Sequence, residues 1–234
     1  MKTKSTVAII GAGIGGITTA IFLAQKGYQV QVYEKNILPG GRCGQTIRDG
    51  HRFDLGATIY FLPSVYEEVF SKMGLNVEEC FDFIPMKDLY KIYYDNGSHL
   101  NFTHDKKTLS QQLEKLEPGS YKKAEKYTKK GYSFLKIGLG KLLNRNFYHA
   151  FQFITIHNLI QILKIKGHLK HGSYVKRFFK HPHLRMAFTF QNIYVGQSPF
   201  QASALFSMLP AAELTEGSMF PKGGMHNIVE RMIK

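Results

Sequence analysis

The chain has 234 residues, 44% of them hydrophobic and 13% aromatic, which fits a packed protein of one or two domains and excludes a disordered chain. Its two cysteines, Cys43 and Cys80, make no disulfide framework and point to a reducing compartment; its ten histidines follow no ligand spacing, so no metal site is expected. The net charge of +14 is uneven: residues 1–125 hold 15 Lys/Arg against 14 Asp/Glu, residues 126–212 hold 13 Lys/Arg and no acid, and residues 213–234 hold three of each.

In chain order, Thr6–Ile10 predicts a buried parallel strand. Lys2 and Lys4 ahead of the apolar run Val7–Ile10 imitate a leader, but the run breaks at once into glycines, so a strand is expected and no targeting segment. No stretch reaches the roughly 18 apolar residues of a spanning helix. A helix is expected over Ile17–Lys26, stopping at Gly27, and a second strand over Gln29–Tyr33. Ile37–Arg52 reads as loop with short strands and Tyr66–Met73 as helix. Leu89–Tyr94 and His99–Phe102 flank Asp95-Asn96-Gly97-Ser98, a hairpin signal. From Leu109 to about Lys180 the pattern is mostly helical, with breaks at Pro118-Gly119 and Gly167. Two apolar stretches follow, Ala187–Val195 and Ala202–Met208, then a turn at Pro221–Gly224 and a helix from Met225. No internal repeat is present.

The chemistry concentrates near the N-terminus. Gly11-Ala12-Gly13-Ile14-Gly15-Gly16 lies between the first strand and the first helix. Gly11 permits the tight turn, Gly13 leaves room for a pyrophosphate against the backbone, and Gly16 lets helix and strand pack closely. The helix N-terminus offers free N–H groups to phosphates. Glu34 ends the second strand, 23 residues after Gly11, where a carboxylate can accept both ribose hydroxyls of an adenosine. A glycine hexad alone is a weak signal; a strand before it, a helix after it and an acid at this distance make a dinucleotide site. Pro39-Gly40-Gly41-Arg42 adds two glycines for close backbone approach and a guanidinium suited to phosphate oxygens. Phe53–Thr58 brings Gly56 and Thr58 to the same groove. Asp54 reads as structural, and no residue stands out as a catalytic acid or base.

Glu34-Lys35, Gly40-Gly41-Arg42 and Asp54-Leu55-Gly56 together resemble the flavin amine oxidase and phytoene desaturase superfamily. Gln191–Phe200, Ala204–Ser207 and Phe220–Met225 resemble the bacterial carotenoid desaturases, phytoene and dehydrosqualene desaturases among them. Gly56-Ala57-Thr58 departs from the usual Gly-Pro-Thr of that family. The resemblance implies FAD held non-covalently by Gly11, Ala12, Gly13, Ile14, Gly15, Gly16, Glu34, Lys35, Gly40, Gly41, Arg42, Gly56, Ala57 and Thr58. It also implies an isoprenoid or carotenoid substrate and a cytoplasmic protein peripheral on the inner face of the cell membrane. The implied fold class is α/β: a Rossmann-like FAD-binding domain with an inserted α+β substrate- or membrane-facing domain. The implied boundaries are 1–85 for the first part of the FAD domain, 86–215 for the insert and 216–234 for the return. Family members are about twice as long, so the C-terminal half is expected to be missing, with a second polypeptide as one way of supplying it. Two other readings stay open: a related flavoenzyme of the retinol-saturase or amine-oxidase type, and an inactive nucleotide-binding fragment.

The acid-free segment carries a separate expectation. His157, Gln161, Lys164 and His168 share one helix face, with Ile156, Leu159, Ile162 and Leu163 mostly on the other. This is the plan of an interfacial helix on an anionic membrane. A solvated basic face is the alternative. Nucleic-acid binding has no accompanying motif and no such partner is expected.

Overall fold

The computed structural model describes residues 5–234; Lys2 and Lys4 lie outside the described residues. β1 (Thr6–Ile10) pairs in parallel with β2 (Gln29–Tyr33), joined by the crossover helix α1 (Ile14–Gln25). α1 begins at Ile14, three residues earlier than the sequence predicts, because extended Gly13 serves as its N-cap and Ile17 N–H already bonds to the Gly13 carbonyl. β1 is not the buried strand expected: Ile10 is 84% exposed and the strand alternates exposed and half-buried residues. Among the described residues this sheet has two strands only, and a parallel strand is buried only with cover on both faces.

β3 (Gln45–Arg48) and β4 (His51–Asp54) form a hairpin that turns at Asp49-Gly50, both at positive φ. α2 (Pro63–Lys72), α3 (Val77–Cys80) and β5 (Phe83–Pro85) complete the first stretch. The chain then enters a second compact unit, Lys87–Gly217. Its hairpin of β6 (Asp88–Tyr93) and β7 (His99–Thr103) turns where the Asp95–Ser98 signal places it. α4 (Lys106–Leu116) is capped by Asp105, which accepts a 2.6 Å bond from Thr108 N–H. α5 (Ser120–Ile137) runs into a wide π-type turn at Gly138–Leu143. α6 (Ala150–Phe153), α7 (Ile156–Lys164), α8 (His171–Val175), α9 (Pro182–Ala187) and α10 (Met208–Glu216) follow, with 3₁₀ turns at Phe190–Val195 and Ala204–Ser207. Gly131 lets α5 and α10 pack face to face, since a Cβ there would lie 2.4 Å from the Ser207 carbonyl oxygen. β8 (Met219–Pro221) and α11 (His226–Ile233) then return to the first unit, where β8 pairs antiparallel with β5.

Each unit has its own core. Tyr60, Phe70, Met225, Ile228 and Val229 centre the first; Leu100, Phe102, Leu113, Tyr127, Phe179, Leu184 and Phe188 centre the second. The second core also encloses a polar chain. The Tyr127 hydroxyl lies 2.5 Å from His171 Nε2 and 3.0 Å from the Phe188 carbonyl oxygen, and His171 Nδ1 lies 3.1 Å from Asn192 Oδ1. The Tyr127 hydroxyl spends its one proton on the Phe188 carbonyl, so it accepts from His171 Nε2–H, and Nδ1 of the neutral ring faces the Asn192 side-chain amide.

Burial pushes the His171 pKa down from 6.5 to about 4, against the smaller upward pull of its bond with Asn192. The unfolded chain therefore binds a proton that the folded unit excludes, and the stability present above about 6.5 is lost as pH falls toward 4. The full loss is about 3 kcal/mol, because each pH unit between those two values is worth about 1.36 kcal/mol. Thermal melts of wild type and His171→Gln between about pH 7 and about pH 4.5 check this. The variant is expected to show the shallower acid slope, and equal slopes would remove His171 from the account.

Candidate functional site

A cleft of about 700 Å³ opens in the first unit, lined by Gly13, Ile14, Gly15, Gly40, Arg42, Cys43, Leu55, Gly56, Ala57, Tyr66 and Ile228. One wall is the turn entering α1. Gly11 takes φ 100°, which favours glycine, and its N–H donates to the Tyr33 carbonyl at 2.7 Å. Gly16 is packed so tightly on this turn that a Cβ would sit 2.0 Å from the Gly11 carbonyl oxygen. No side chain caps α1 and its first turn has no acid, so its leading N–H groups and positive dipole end are open to an anion.

The other wall is the Gly40–Cys43 turn. Gly40 N–H donates to the Ala12 carbonyl at 2.7 Å, and a Cβ on Gly41 would lie 3.3 Å from Gly13 Cα. The two backbones thus meet in direct contact at one edge of the cleft, where side chains would force them apart. Arg42 lines the gap as an exposed cation, and its carbonyl sits where a Cβ on Gly56 would overlap it at 1.9 Å. A diphosphate fits this donor set: helix-end amides on one wall and a guanidinium on the other.

Glu34 stands at the end of β2. Hydrogen bonds from Asn36 N–H, then Ala12 N–H, hold its carboxyl below the usual carboxylate range against a small desolvation penalty. Oε1 accepts from Asn36 N–H and Nδ2–H at 2.9 Å each, and Oε2 accepts from Ala12 N–H at 2.8 Å. With three of about four lone-pair directions in use, roughly one remains, on Oε2, for a hydroxyl.

Of the residues singled out from sequence, Gly13, Ile14, Gly15, Gly40, Arg42, Gly56 and Ala57 line the cleft. Gly11, Ala12, Gly16, Gly41 and Glu34 shape it through the backbone contacts described above. Lys35 and Thr58 are exposed and outside the lining. Sequence reasoning missed Cys43, Leu55, Tyr66 and Ile228. The first two adjoin residues it had named, and Ile228 follows the Phe220–Met225 segment by three residues; Tyr66 carried no signal. Burial raises the Cys43 thiol, with Asp54 adding to the shift, which keeps it an unreactive wall residue.

The second unit holds a buried carboxyl that was also missed. Glu213 on α10 accepts from Tyr194 O–H at 2.7 Å, Tyr90 O–H at 2.9 Å and Gln191 Nε2–H at 3.1 Å. Burial raises its pKa above the usual carboxylate range, while the three donors oppose that rise. Among the described residues no cluster of three His, Cys, Asp or Glu is placed to hold a metal ion.

The first unit is a Rossmann-type dinucleotide-binding fold: the family described as NAD(P)-binding Rossmann-like domain matches residues 9–73. Solved structures share the fold. A putrescine oxidase superposes with a TM-score of 0.64 at 15% identity, covering 99% of this chain and 49% of the oxidase. A fatty acid isomerase from P. acnes gives 0.53 at 14% identity, covering 99% and 49%. Sequence narrows this further. The chain is 34% identical to a zeta-carotene-forming phytoene desaturase of Myxococcus xanthus over 97% of its own length. It is 31% identical to a phytoene desaturase of Phycomyces blakesleeanus over 99%, and 31% identical to a 4,4'-diapophytoene desaturase of Staphylococcus haemolyticus over 97%. Over nearly its whole length the chain is thus similar to phytoene and diapophytoene desaturases. It spans 44%, 40% and 46% of the lengths of those three relatives.

Proposed function

We propose that this chain provides the FAD site of a carotenoid desaturase, an oxidoreductase that introduces double bonds into a C30 or C40 isoprenoid hydrocarbon. The observation that carries the cofactor assignment is the cleft lined by Gly13, Gly15, Gly40 and Gly56, side-chain-free backbone with the helix-end amides of α1 and Arg42 around it. The similarity to phytoene and diapophytoene desaturases supports the substrate class.

Bound FAD would supply the hydride acceptor for removal of hydrogen from an allylic carbon. The chain's own residues do the holding. The amides of Ile14, Gly15 and Gly16 and the Arg42 guanidinium neutralise the diphosphate, and Glu34 accepts from the ribose.

The test is the absorbance spectrum of the purified chain after FAD loading and desalting, beside a parallel NAD titration. Retained flavin is the expected result; binding of NAD with no FAD retention would overturn the assignment. Glu34→Ala is expected to weaken FAD on the order of tenfold, by loss of a charged acceptor. Unchanged flavin retention in that variant would remove Glu34 from the ribose site.

The same reading places the protein at a membrane surface, where a long hydrocarbon substrate resides. α7 supports it: Ile156, Leu159, Ile160 and Leu163 are exposed beside His157 and Lys164, while Ile162 is half-buried and Asn158 and Gln161 are buried, so Gln161 does not join the exposed polar face expected for it. Among the described residues no helix is long and apolar enough to cross a membrane; the contact proposed for α7 is peripheral.

A further inference from the structure

The glycine walls of the cleft are held from behind by residues more than 170 positions away. Both Asp54 oxygens accept backbone bonds at the start of α11, from Met225 N–H at 2.9 Å and His226 N–H at 3.2 Å. The His226 ring, 3% exposed, turns back under the Gly40–Cys43 turn. Its Nδ1 lies 2.8 Å from the Cys43 carbonyl oxygen, which can only accept, so Nδ1 carries the proton. The ring also fills the space beneath Gly40, where a Cβ would lie 3.1 Å from it. The Cys43 thiol donates to the Met225 carbonyl oxygen at 3.3 Å and closes the loop. Neither Asp54 nor His226 lines the cleft.

We propose that His226, oriented by Asp54, is a positioning residue for the cofactor: it fixes the Gly40–Cys43 turn, and with it Arg42, at the spacing from Gly13 that the diphosphate requires. The inference rests on the FAD reading of the cleft. Gly40 and Gly41 stand at φ 118° and 55°, a conformation glycine adopts without holding it. Across the cleft the turn is tied by Gly40 N–H to Ala12 and by Ala57 N–H to the Arg42 carbonyl at 3.3 Å. His226 supplies the donor on the buried side. Without it the Cys43 carbonyl loses that donor over a void, and the turn is free to settle elsewhere.

The test uses the whole chain and FAD itself, with affinity from quenching of flavin fluorescence and apoprotein melting alongside. His226→Ala is expected to weaken FAD by about tenfold or more. His226→Asn places an amide N–H near the position of Nδ1–H and is expected to recover most of that loss. Val229→Ala, a fully buried position on the same helix, controls for general destabilisation and is expected to leave FAD affinity within about threefold. Wild-type affinity in His226→Ala, or an equal loss in Val229→Ala, would overturn the proposal. If His226→Ala does not fold, Asp54→Asn decides: weakened FAD binding supports the proposal and unchanged binding refutes it. Failure of the wild-type chain to bind FAD would instead overturn the cofactor assignment.

Discussion

Gly13→Val is expected to leave the protein folded and abolish FAD retention. Gly13 has φ −76° and ψ 173°, extended backbone open to any L-residue, and the nearest atom to a Cβ there is Gly41 Cα at 4.0 Å. The fold therefore tolerates a side chain at this position. The cleft does not, because the methyl groups would occupy the gap that a diphosphate must enter. Gly16→Val makes the contrast. Its Cβ would fall 2.0 Å from the Gly11 carbonyl oxygen, so that variant should lose stability first and cofactor as a consequence. Melting temperature and flavin absorbance, measured on both variants, separate the two roles. Full FAD occupancy in Gly13→Val would show that the glycine turn is not the phosphate site.

The second large effect is expected at α7. Replacing Ile156, Leu159 and Leu163 together by Asp should reduce binding to anionic liposomes by more than about 100-fold, at an energy of roughly 1.5–3 kcal/mol for each fully buried apolar side chain. These residues are 81%, 55% and 46% exposed and belong to neither buried core cluster. Phe151, Ile154 and Tyr148 are exposed just before the helix, and Lys141, Arg145, Lys164 and Lys170 lie in the same acid-free segment. Each cation near an anionic surface contributes about 1 kcal/mol, screened by salt over a Debye length of about 8–10 Å. The apolar contribution persists at high salt, whereas binding to nucleic acid falls steeply and log-linearly with salt. Co-sedimentation with anionic and neutral liposomes at low and high salt, beside a gel shift on single-stranded RNA, distinguishes these cases. RNA binding without liposome binding would replace the membrane reading, and binding to neither would leave a solvated face. FAD content should not change in the Asp variant, since these residues belong to the other compact unit.

The local features of this protein were legible in its sequence. Gly11–Gly16 between two short β-branched runs, with Glu34 at the end of the second, produced the parallel pair, the crossover helix and the acid at the strand end. Asp95-Asn96-Gly97-Ser98 produced its hairpin. In each case the geometry follows from the conformational freedom of residues adjacent in the chain, which a string of letters records. Burial and pairing across long separations are relations between distant residues, and only the tertiary structure decided them. It exposed Ile10, where the sequence predicts a buried strand, because burial depends on what covers the sheet. It left Ile156, Leu159 and Leu163 of α7 exposed by seating Asn158, Gln161 and Ile165 against the rest of the unit, although the helical period alone shows only that two faces differ. It gathered Tyr90, Gln191 and Tyr194 around Glu213. It also set His226 beneath Gly40, 186 positions away, because the energy of a buried hydrogen bond depends on where its partner lies in space and is independent of where it lies in the chain.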